Sequence, residues 1–445
     1  MTLCLNAIRN CLEGTVPSAI ATCAADGTPN VAYLSQVHFV DNQHVALSFQ
    51  FFNKTRENIL ANPQAVVQAI DPDSAAQYQL TLHYQRTETA GALFEYMKAK
   101  LAGIASHSGM SKVFKLQGAD VYRVARIETV PGVPLAVPPA RRNTLAALRN
   151  TSQRLAVCAD LAGLLDETLA SLAALFDIHH TMLLMLDESG QRLYTVASRG
   201  YAISGVGSEI ALGEGVIGVA ARERTPIRIG HMAREYLYGR AVRASFLQNN
   251  PAMDLELEIP LPGLTDSRSQ LAVPMLRGAR LFGVLYVESP QDLRFNFEDE
   301  DALVTLAAQL AMSIQALEEN AERSEEPRTQ TPPSLDTSGT TVMVRRYTAN
   351  DSIFINDDYL IKGVAGAIFW KLLRDYVQHG RTDFSNRELR LDRTLRLPDI
   401  CDNLEAHLIL LQRRMSEHCS FLGLEKTGRG RFHLRVDRPV QLNEV

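Results

Sequence analysis

Two breaks in composition cut this 445-residue chain before any secondary structure is considered. The first, Val130-Pro-Gly-Val-Pro-Leu-Ala-Val-Pro-Pro139, cannot continue a helix, because proline lacks the backbone N–H and clashes with the preceding turn. The second, Glu318 to Thr341 (EENAERSEEPRTQTPPSLDTSGTT), is acidic and then rich in Pro, Ser and Thr, which is linker composition. No single core can span both. The chain therefore reads as a multidomain α+β protein, with modules at 1–135, 140–320 and 341–445 and a linker at 321–340. Length alone points the same way, at about three domains.

Hydrophobic residues make up 46% and charged residues 21%, which is ordinary globular composition and excludes a disordered or fibrous chain. No apolar run approaches the roughly 18 residues that a membrane span needs, and the N-terminus lacks the basic-then-apolar pattern of a signal peptide. A cytoplasmic protein without membrane contact is expected. The cysteines (Cys4, Cys11, Cys23, Cys158, Cys401, Cys419) form no C-x-x-C pair, and scattered free thiols fit a reducing compartment.

The net charge of −5 is unevenly distributed. From Thr341 to Val436 there are 16 Lys and Arg against 12 Asp and Glu, so this stretch is +4 and the remainder −9. A basic module on an acidic chain suits local phosphate contact.

The first module opens with a short helix and continues as alternating runs. These are Pro17–Ala24, Asn30–Val40 after the Asp26-Gly27 turn, His44–Phe51, Gln64–Asp71, Gln77–Thr87 and Val121–Glu128. Helices are expected at Thr55–Ala61, stopped by Asn62-Pro63, and at about Gly91–Ile104. Many short strands with few helices fit a small antiparallel barrel. The run Val45-Ala-Leu-Ser-Phe-Gln-Phe-Phe-Asn-Lys-Thr-Arg-Glu-Asn-Ile-Leu-Ala-Asn-Pro63 resembles the FMN-binding split barrels of the pyridoxamine-phosphate-oxidase-like class. That resemblance implies that Lys54 and Thr55 hold the flavin phosphate, that Ser48 and Gln50 face the ring, and that Asn58 steadies the loop. Asn53 completes the cofactor-binding set. A cation, a hydroxyl and backbone N–H groups at a helix start suit a dianionic phosphate. Such barrels build the flavin site across a dimer interface, so a homodimer is implied. The first module lacks the Arg-x-His pair that the true oxidases use on their substrate. Haem, or no cofactor, remains the alternative, with His107 in the polar loop Ala105–Met110.

In the middle module, leucines at 145, 148, 155, 161, 165, 169 and 172 predict a helix over Arg142–Phe176. Strands are expected at Thr181–Asp187, Arg192–Ser198, Pro226–Ile229, Ser269–Leu276 and Leu281–Ser289, before a last helix over Asn296–Leu317. This order, with Gly213-x-Gly215-x-x-Gly218 after a strand and Gly283-Val-Leu-Tyr-Val-Glu288 near the end, resembles the GAF sensory domains, a GAF-like α/β sandwich with a possible small-molecule ligand. The glycines lack the acidic partner of a dinucleotide site and read as a tight turn with close helix packing. Tyr236 and Tyr238 in the long segment His231–Asp266 suggest a lid. His179 and His180 have no third ligand nearby, and no metal site is expected. Leu303, Leu306, Leu310 and Ile314 on the last helix fit either a dimer contact or packing onto the domain's own sheet.

The third module carries the clearest output signal. Short strands at Asp351–Leu360 and a helix at Gly363–His379 lead to Ser385-Asn-Arg-Glu, spaced as a capping box. The stretch Pro398–His418 predicts the longest helix here, with Leu404, Leu408, Leu411 and Met415 on one buried face. A basic hairpin, Leu424–Val436, closes the module. This resembles the winged-helix output domains of response regulators, with a recognition helix at Ile400–His418 and a wing at Lys426–Arg435. The resemblance implies that Asn403, His407, Arg413 and Arg414 face the major groove, and that Lys426, Arg429 and Arg431 grip the backbone. Asp402 and Glu405 place acid at the helix start, where they cap it and complement its dipole. A winged helix used for protein contact is the alternative for this module. The whole reads as a sensor and transcriptional regulator. A flavin-dependent oxidoreductase with regulatory domains is the rival.

Overall fold

The computed structural model describes residues 3–445 except 13–15, 17, 35–36, 50–53, 92, 99–100, 102–115, 137–142, 188, 231–258, 324–339, 393–394, 396–403 and 429. In the first module, a short 3₁₀ helix (Leu5–Leu12) precedes seven strands: β1 Ser18–Cys23, β2 Pro29–Leu34, β3 Val37–Phe39, β4 His44–Phe49, β5 Gln64–Ile70, β6 Gln77–Glu88 and β7 Gly118–Thr129. They form one sheet in the order β2-β1-β5-β6-β7-β4-β3, paired antiparallel throughout. The expected strand Asn30–Val40 is divided, because β2 pairs with β1 at one sheet edge while β3 pairs with β4 at the other. Alternation places Ile20, Val45, Val67, Leu80 and Leu82 in a core closed by the 3₁₀ helix. Helix α1 (Lys54–Ala61) lies between β4 and β5.

The central module has a six-stranded sheet in the order β10-β9-β8-β13-β12-β11. Its strands are β8 His180–Leu186, β9 Arg192–Arg199, β10 Glu209–Ala211, β11 Ile227–Ile229, β12 Ser269–Arg277 and β13 Arg280–Ser289. The expected single helix over Arg142–Phe176 is two, α2 (Thr144–Leu155) and α3 (Leu161–Phe176). The break has a local cause. Asp160 takes extended backbone and its carboxylate accepts from the Gly163 N–H at 2.8 Å, which starts a new helix rather than continuing the old one. Helix α4 (Gly215–Glu223) covers one sheet face, and α5 (Phe297–Arg323) packs with α2 and α3 on the other. Leu303, Leu306, Leu310 and Ile314 are all buried against the domain's own core, so this stripe is not an intersubunit seam.

The glycine run does what tight turns require. A Cβ at Gly218 would lie 2.2 Å from the Ala211 carbonyl oxygen, and the Gly213 N–H donates to the Gly218 carbonyl at 2.7 Å. The run closes the β10–α4 turn onto the helix.

The third module contains a strand that the sequence pattern did not reveal. Strand β14 (Val342–Tyr347) is central in the sheet β16-β15-β14-β20, with β15 Ser352–Ile355, β16 Asp358–Ile361 and β20 Val440–Glu444. Helix α6 (Gly363–His379) follows, then α7 (Asn386–Leu391), begun by Ser385 accepting from the Glu388 N–H at 3.3 Å. Helix α8 is described from Leu404 to His418, and residues 398–403 of the expected helix lie outside the described residues. Strands β18 (Leu422–Gly428) and β19 (Arg431–Val436) form the closing hairpin, with β17 (Asp383–Ser385) as a third strand. One continuous apolar cluster runs from α2 and α3 through β9 into α6, α8 and the hairpin, so the second and third modules share a core.

Candidate functional site

Three places in the fold bring polar groups together. The first is the start of α1, where the sequence places the phosphate-binding residues. Gln50 and Asn53 lie outside the described residues. Lys54 is exposed at the first position of α1, 3.5 Å from Glu57. The Thr55 hydroxyl accepts from Asn30 Nδ2 at 2.9 Å, and Asn58, buried, donates to Thr22 Oγ1 at 3.1 Å. Asn30 also reaches Thr22 at 3.4 Å, so a row of short polar side chains fastens the helix start to the β1–β2 hairpin. Ser48 lies partly buried on β4, which leads into the helix.

Sequence reasoning missed the strongest interaction in this region. Arg56 turns inward, and its Nη1 lies 2.6 and 2.7 Å from the two Asp120 oxygens while Nη2 donates to Thr87 Oγ1 at 3.2 Å. Tyr84 Oη is 2.7 Å from the same hydroxyl. Asp120 lies in the first part of β7, residues 118–122, which is buried throughout, and a carboxylate there needs a cation. The spacing of Arg56 and Asp120 in sequence gives no sign of the pair. Arg56 is slightly exposed, so its replacement by alanine is expected to cost about 2 kcal/mol rather than the full cost of orphaning a buried charge. Urea unfolding of the barrel checks this, and a cost near zero would mean that Asp120 is already solvated.

The second place is a cavity of about 290 Å³ beside α4. Met182, Ile210, Val216 and Ile217 give it an apolar wall, and Gln270, Tyr286 and Glu288 supply polar groups. Glu288 is 2% exposed and accepts from the Leu264 N–H at 3.0 Å and from Tyr286 Oη at 3.4 Å. Gln270 donates to Ser267 Oγ at 3.1 Å. The expected lid residues Tyr236 and Tyr238, like His107 in the first module, lie outside the described residues. His179 pairs with Asp177 at 2.9 Å, and His180 meets the Tyr201 ring edge-on.

The third place is the junction between the second and third modules, and it corrects the expectation for α8. His407 is buried, stacked on Tyr194 of β9 at 5.2 Å between ring centroids. Arg413 Nη1 donates to the Val196 carbonyl at 2.8 Å, and Nη2 to Asp166 of α3 at 2.6 Å. Arg414 is buried inside its own module, where Nε donates to the Leu360 carbonyl at 3.0 Å, so it is a packing residue and not a groove reader. Lys426 Nζ donates to Asp160 at 2.6 Å. Arg431 lines a cavity of about 90 Å³ together with Asp160, Asn386, Glu405 and Lys426. Asn403 and Arg429 lie outside the described residues. His407, Arg413 and Arg414 therefore do not form a free face here. The hydrophobic pattern correctly gave α8 one buried side, but its other side is buried too, against a different module.

Glu405 gives this junction a pH dependence. Burial pushes its carboxyl up, with a neighbouring negative charge at Asp160 adding to the effect and Lys426 opposing it. A raised carboxyl favours the docked arrangement when protonated, and the advantage disappears as pH rises through the docked value. Glu405→Gln is therefore expected to tighten the junction at neutral pH. Slower hydrogen exchange over residues 404–418 is the check, and unchanged or faster exchange would contradict it.

Residues 5–125 match the sequence profile of pyridoxamine 5'-phosphate oxidase, and residues 160–314 match that of the GAF domain. The chain carries a split barrel of the pyridoxamine-phosphate-oxidase-like, FMN-binding class, followed by a GAF domain. Solved structures similar to parts of it include the GAF domain from Acinetobacter phosphoenolpyruvate-protein phosphotransferase. There the identity is 25%, over 39% of this chain and 94% of that one, with a TM-score of 0.30. An FMN-binding protein from Syntrophomonas wolfei is 14% identical over 29% of this chain and 88% of its own, with a TM-score of 0.25. HupZ from Group A Streptococcus is 18% identical over 27% and 89%, with a TM-score of 0.21. No curated protein matches the chain. The third module lies outside both matched segments. The GAF domain and the split barrel meet through α5: Arg9 of the barrel lies 3.1 Å from Asp301, and Tyr96 Oη donates to Glu300 at 3.2 Å. No described helix is long and apolar enough to cross a membrane.

Proposed function

We propose that this protein is a signal-responsive transcriptional regulator. In this reading a flavin-bearing split barrel and a ligand-binding GAF domain bias a C-terminal winged helix that binds DNA as part of a homodimer. The observation that carries it is the junction itself. The long helix and basic hairpin of the third module close directly on the GAF sheet through Arg413, Lys426 and His407, so an event in the sensor reaches the output without an intermediary. The module's order supports the winged-helix part: a leading sheet, three helices and a hairpin with Lys426 and Arg431 near its tip.

In the barrel, Lys54, the Thr55 hydroxyl and the first N–H groups of α1 would hold the phosphate of FMN, since a cation and donors converge at a helix start there. The bound flavin would supply two-electron redox chemistry. Lys54→Glu is expected to strip flavin from the purified protein, seen as loss of visible flavin absorption with the barrel still folded. Retention of flavin at parental stoichiometry would refute the phosphate role. In the GAF domain, the Glu288 carboxylate in a cavity with one apolar wall and one polar wall suits a small molecule bearing a cationic or N–H donor group.

The DNA reading is tested by selecting genomic fragments with the full-length protein. The control is Arg429→Ala with Arg431→Ala, because Arg414 is a packing residue and is unsuitable. Recovery of a common sequence is expected, with the hairpin variant losing affinity and its logarithmic salt slope falling by about two. Absence of retention even at low salt, together with turnover of a reduced nicotinamide by the flavin-loaded protein, would move the assignment to a flavin-dependent oxidoreductase.

A further inference from the structure

Among the described residues, the ion pairs across the junction are sorted by module, while Glu405 brings one carboxylate of the C-terminal module near Asp160. Arg413 meets Asp166 at 2.6 Å, Lys426 meets Asp160 at 2.6 Å and Lys362 meets Glu209 at 3.4 Å. In all three pairs the cation belongs to the C-terminal module and the carboxylate to the GAF domain. Pairs within a single fold show no such rule, whereas a surface shaped to receive an anionic partner does. Arg413 also donates to a backbone carbonyl, at Val196, so both arms of its guanidinium are occupied by oxygen acceptors. A phosphate would offer those same arms an equivalent pair of oxygens.

We propose that the GAF domain masks the C-terminal module: Asp160, Asp166 and Glu209 occupy the cations that meet an anionic polymer when the module is released. The inference rests on the DNA-binding reading for the identity of that polymer. The masking itself rests only on the junction.

The ion pairs themselves are weak. Asp166 is 69% exposed and Lys426 51% exposed, so these pairs are worth at most about 1 kcal/mol each. Between the charges lie the His407–Tyr194 stack, Leu410 facing Gly207, a glycine with φ +89°, and the apolar cluster that the two modules share. A Cβ at Gly207 would stand 2.8 Å from the Ile259 side chain, a clash within the GAF domain, and 3.6 Å from that of Leu410, an ordinary contact. A shift of about 1–2 kcal/mol in the sensor is then enough to change the released fraction roughly tenfold.

The test is the full-length variant Asp160→Asn with Asp166→Lys. Asparagine at 160 keeps the cap on α3, and lysine at 166 opposes Arg413. Glu128→Gln with Glu319→Lys makes the same change in net charge away from the junction and serves as the control. Two readouts are taken: hydrogen exchange over residues 192–199 and 404–418, and affinity for a mixed-sequence duplex across a salt series. Faster exchange in both segments, with affinity about tenfold above the control, is the expected result. Unchanged exchange would overturn the inference, because the sorted charges would not be what holds the module. Faster exchange with the parental protein already binding as tightly would also overturn it, since nothing would be masked. Faster exchange with no DNA bound by any form at low salt would leave the masking supported. It would instead sink the DNA reading, and the released cations would then be tried against an acidic protein surface.

Discussion

Replacing Glu300 by alanine is expected to destabilise the GAF domain by about 4 kcal/mol, the scale for orphaning one partner of a buried ion pair. Arg228 Nε lies 2.7 Å from Glu300, and the two side chains are 6% and 8% exposed. The Arg228 guanidinium also covers the Phe297 ring at 4.8 Å and donates to the Phe295 carbonyl at 3.3 Å. Without Glu300 this cation stays in a site almost closed to water. Tyr96 of the split barrel loses its acceptor in the same variant, so the contact between the two modules weakens along with the domain. Denaturant unfolding read on the GAF transition gives the cost. The double variant Glu300→Ala with Arg228→Met tests the cause, because removing both charges restores most of the stability if desolvation is the reason. A single variant costing less than about 1 kcal/mol would show that the pair is effectively solvated.

Replacing Gly283 by alanine is expected to cost about 4 kcal/mol, or to prevent the GAF domain from folding. The new Cβ would lie 1.9 Å from the Leu184 carbonyl oxygen and 2.8 Å from Met275 Cε. Strand β13 is central, paired with β8 and β12, so it cannot move away from one neighbour without striking the other. The same strand carries Tyr286 and Glu288 to the cavity, and ligand binding is expected to be lost with the fold. Gly278→Ala is the comparison. Gly278 has φ +58° and nothing within 4 Å of an added Cβ, so only backbone strain of roughly 1–2 kcal/mol is expected. Equal thermal shifts for the two variants would show that the carbonyl clash is relieved by local adjustment.

Much of the architecture was readable because it follows from local rules. Alternation along Gln64–Ile70 and Gln77–Glu88 fixed which face of the barrel is buried, and the Ser385–Glu388 cap and the glycine after His379 fixed helix ends. Pattern reading failed where a short polar side chain interrupts an apolar periodicity. Asp160 split a helix that its leucines would have continued, and β14 was missed because it directly follows linker composition and one of its two partners, β20, lies at the far end of the module.

The site residues divide the same way. Lys54, Thr55 and Asn58 were singled out because a cation and short polar groups around a helix start are contiguous in sequence, and their flavin role is part of the proposal. Arg56–Asp120, Arg228–Glu300 and Arg413–Asp166 join residues 64, 72 and 247 positions apart, and no spacing rule reaches across such separations. By itself, then, the sequence determined the barrel and GAF signatures, the faces of most elements and which residues carry charge. Only the tertiary structure decided what each charge meets. That decision turned the arginines of α8 from an open recognition face into one packing residue and one interdomain clasp, because a cation's role is set by the nearest oxygen in space and not along the chain.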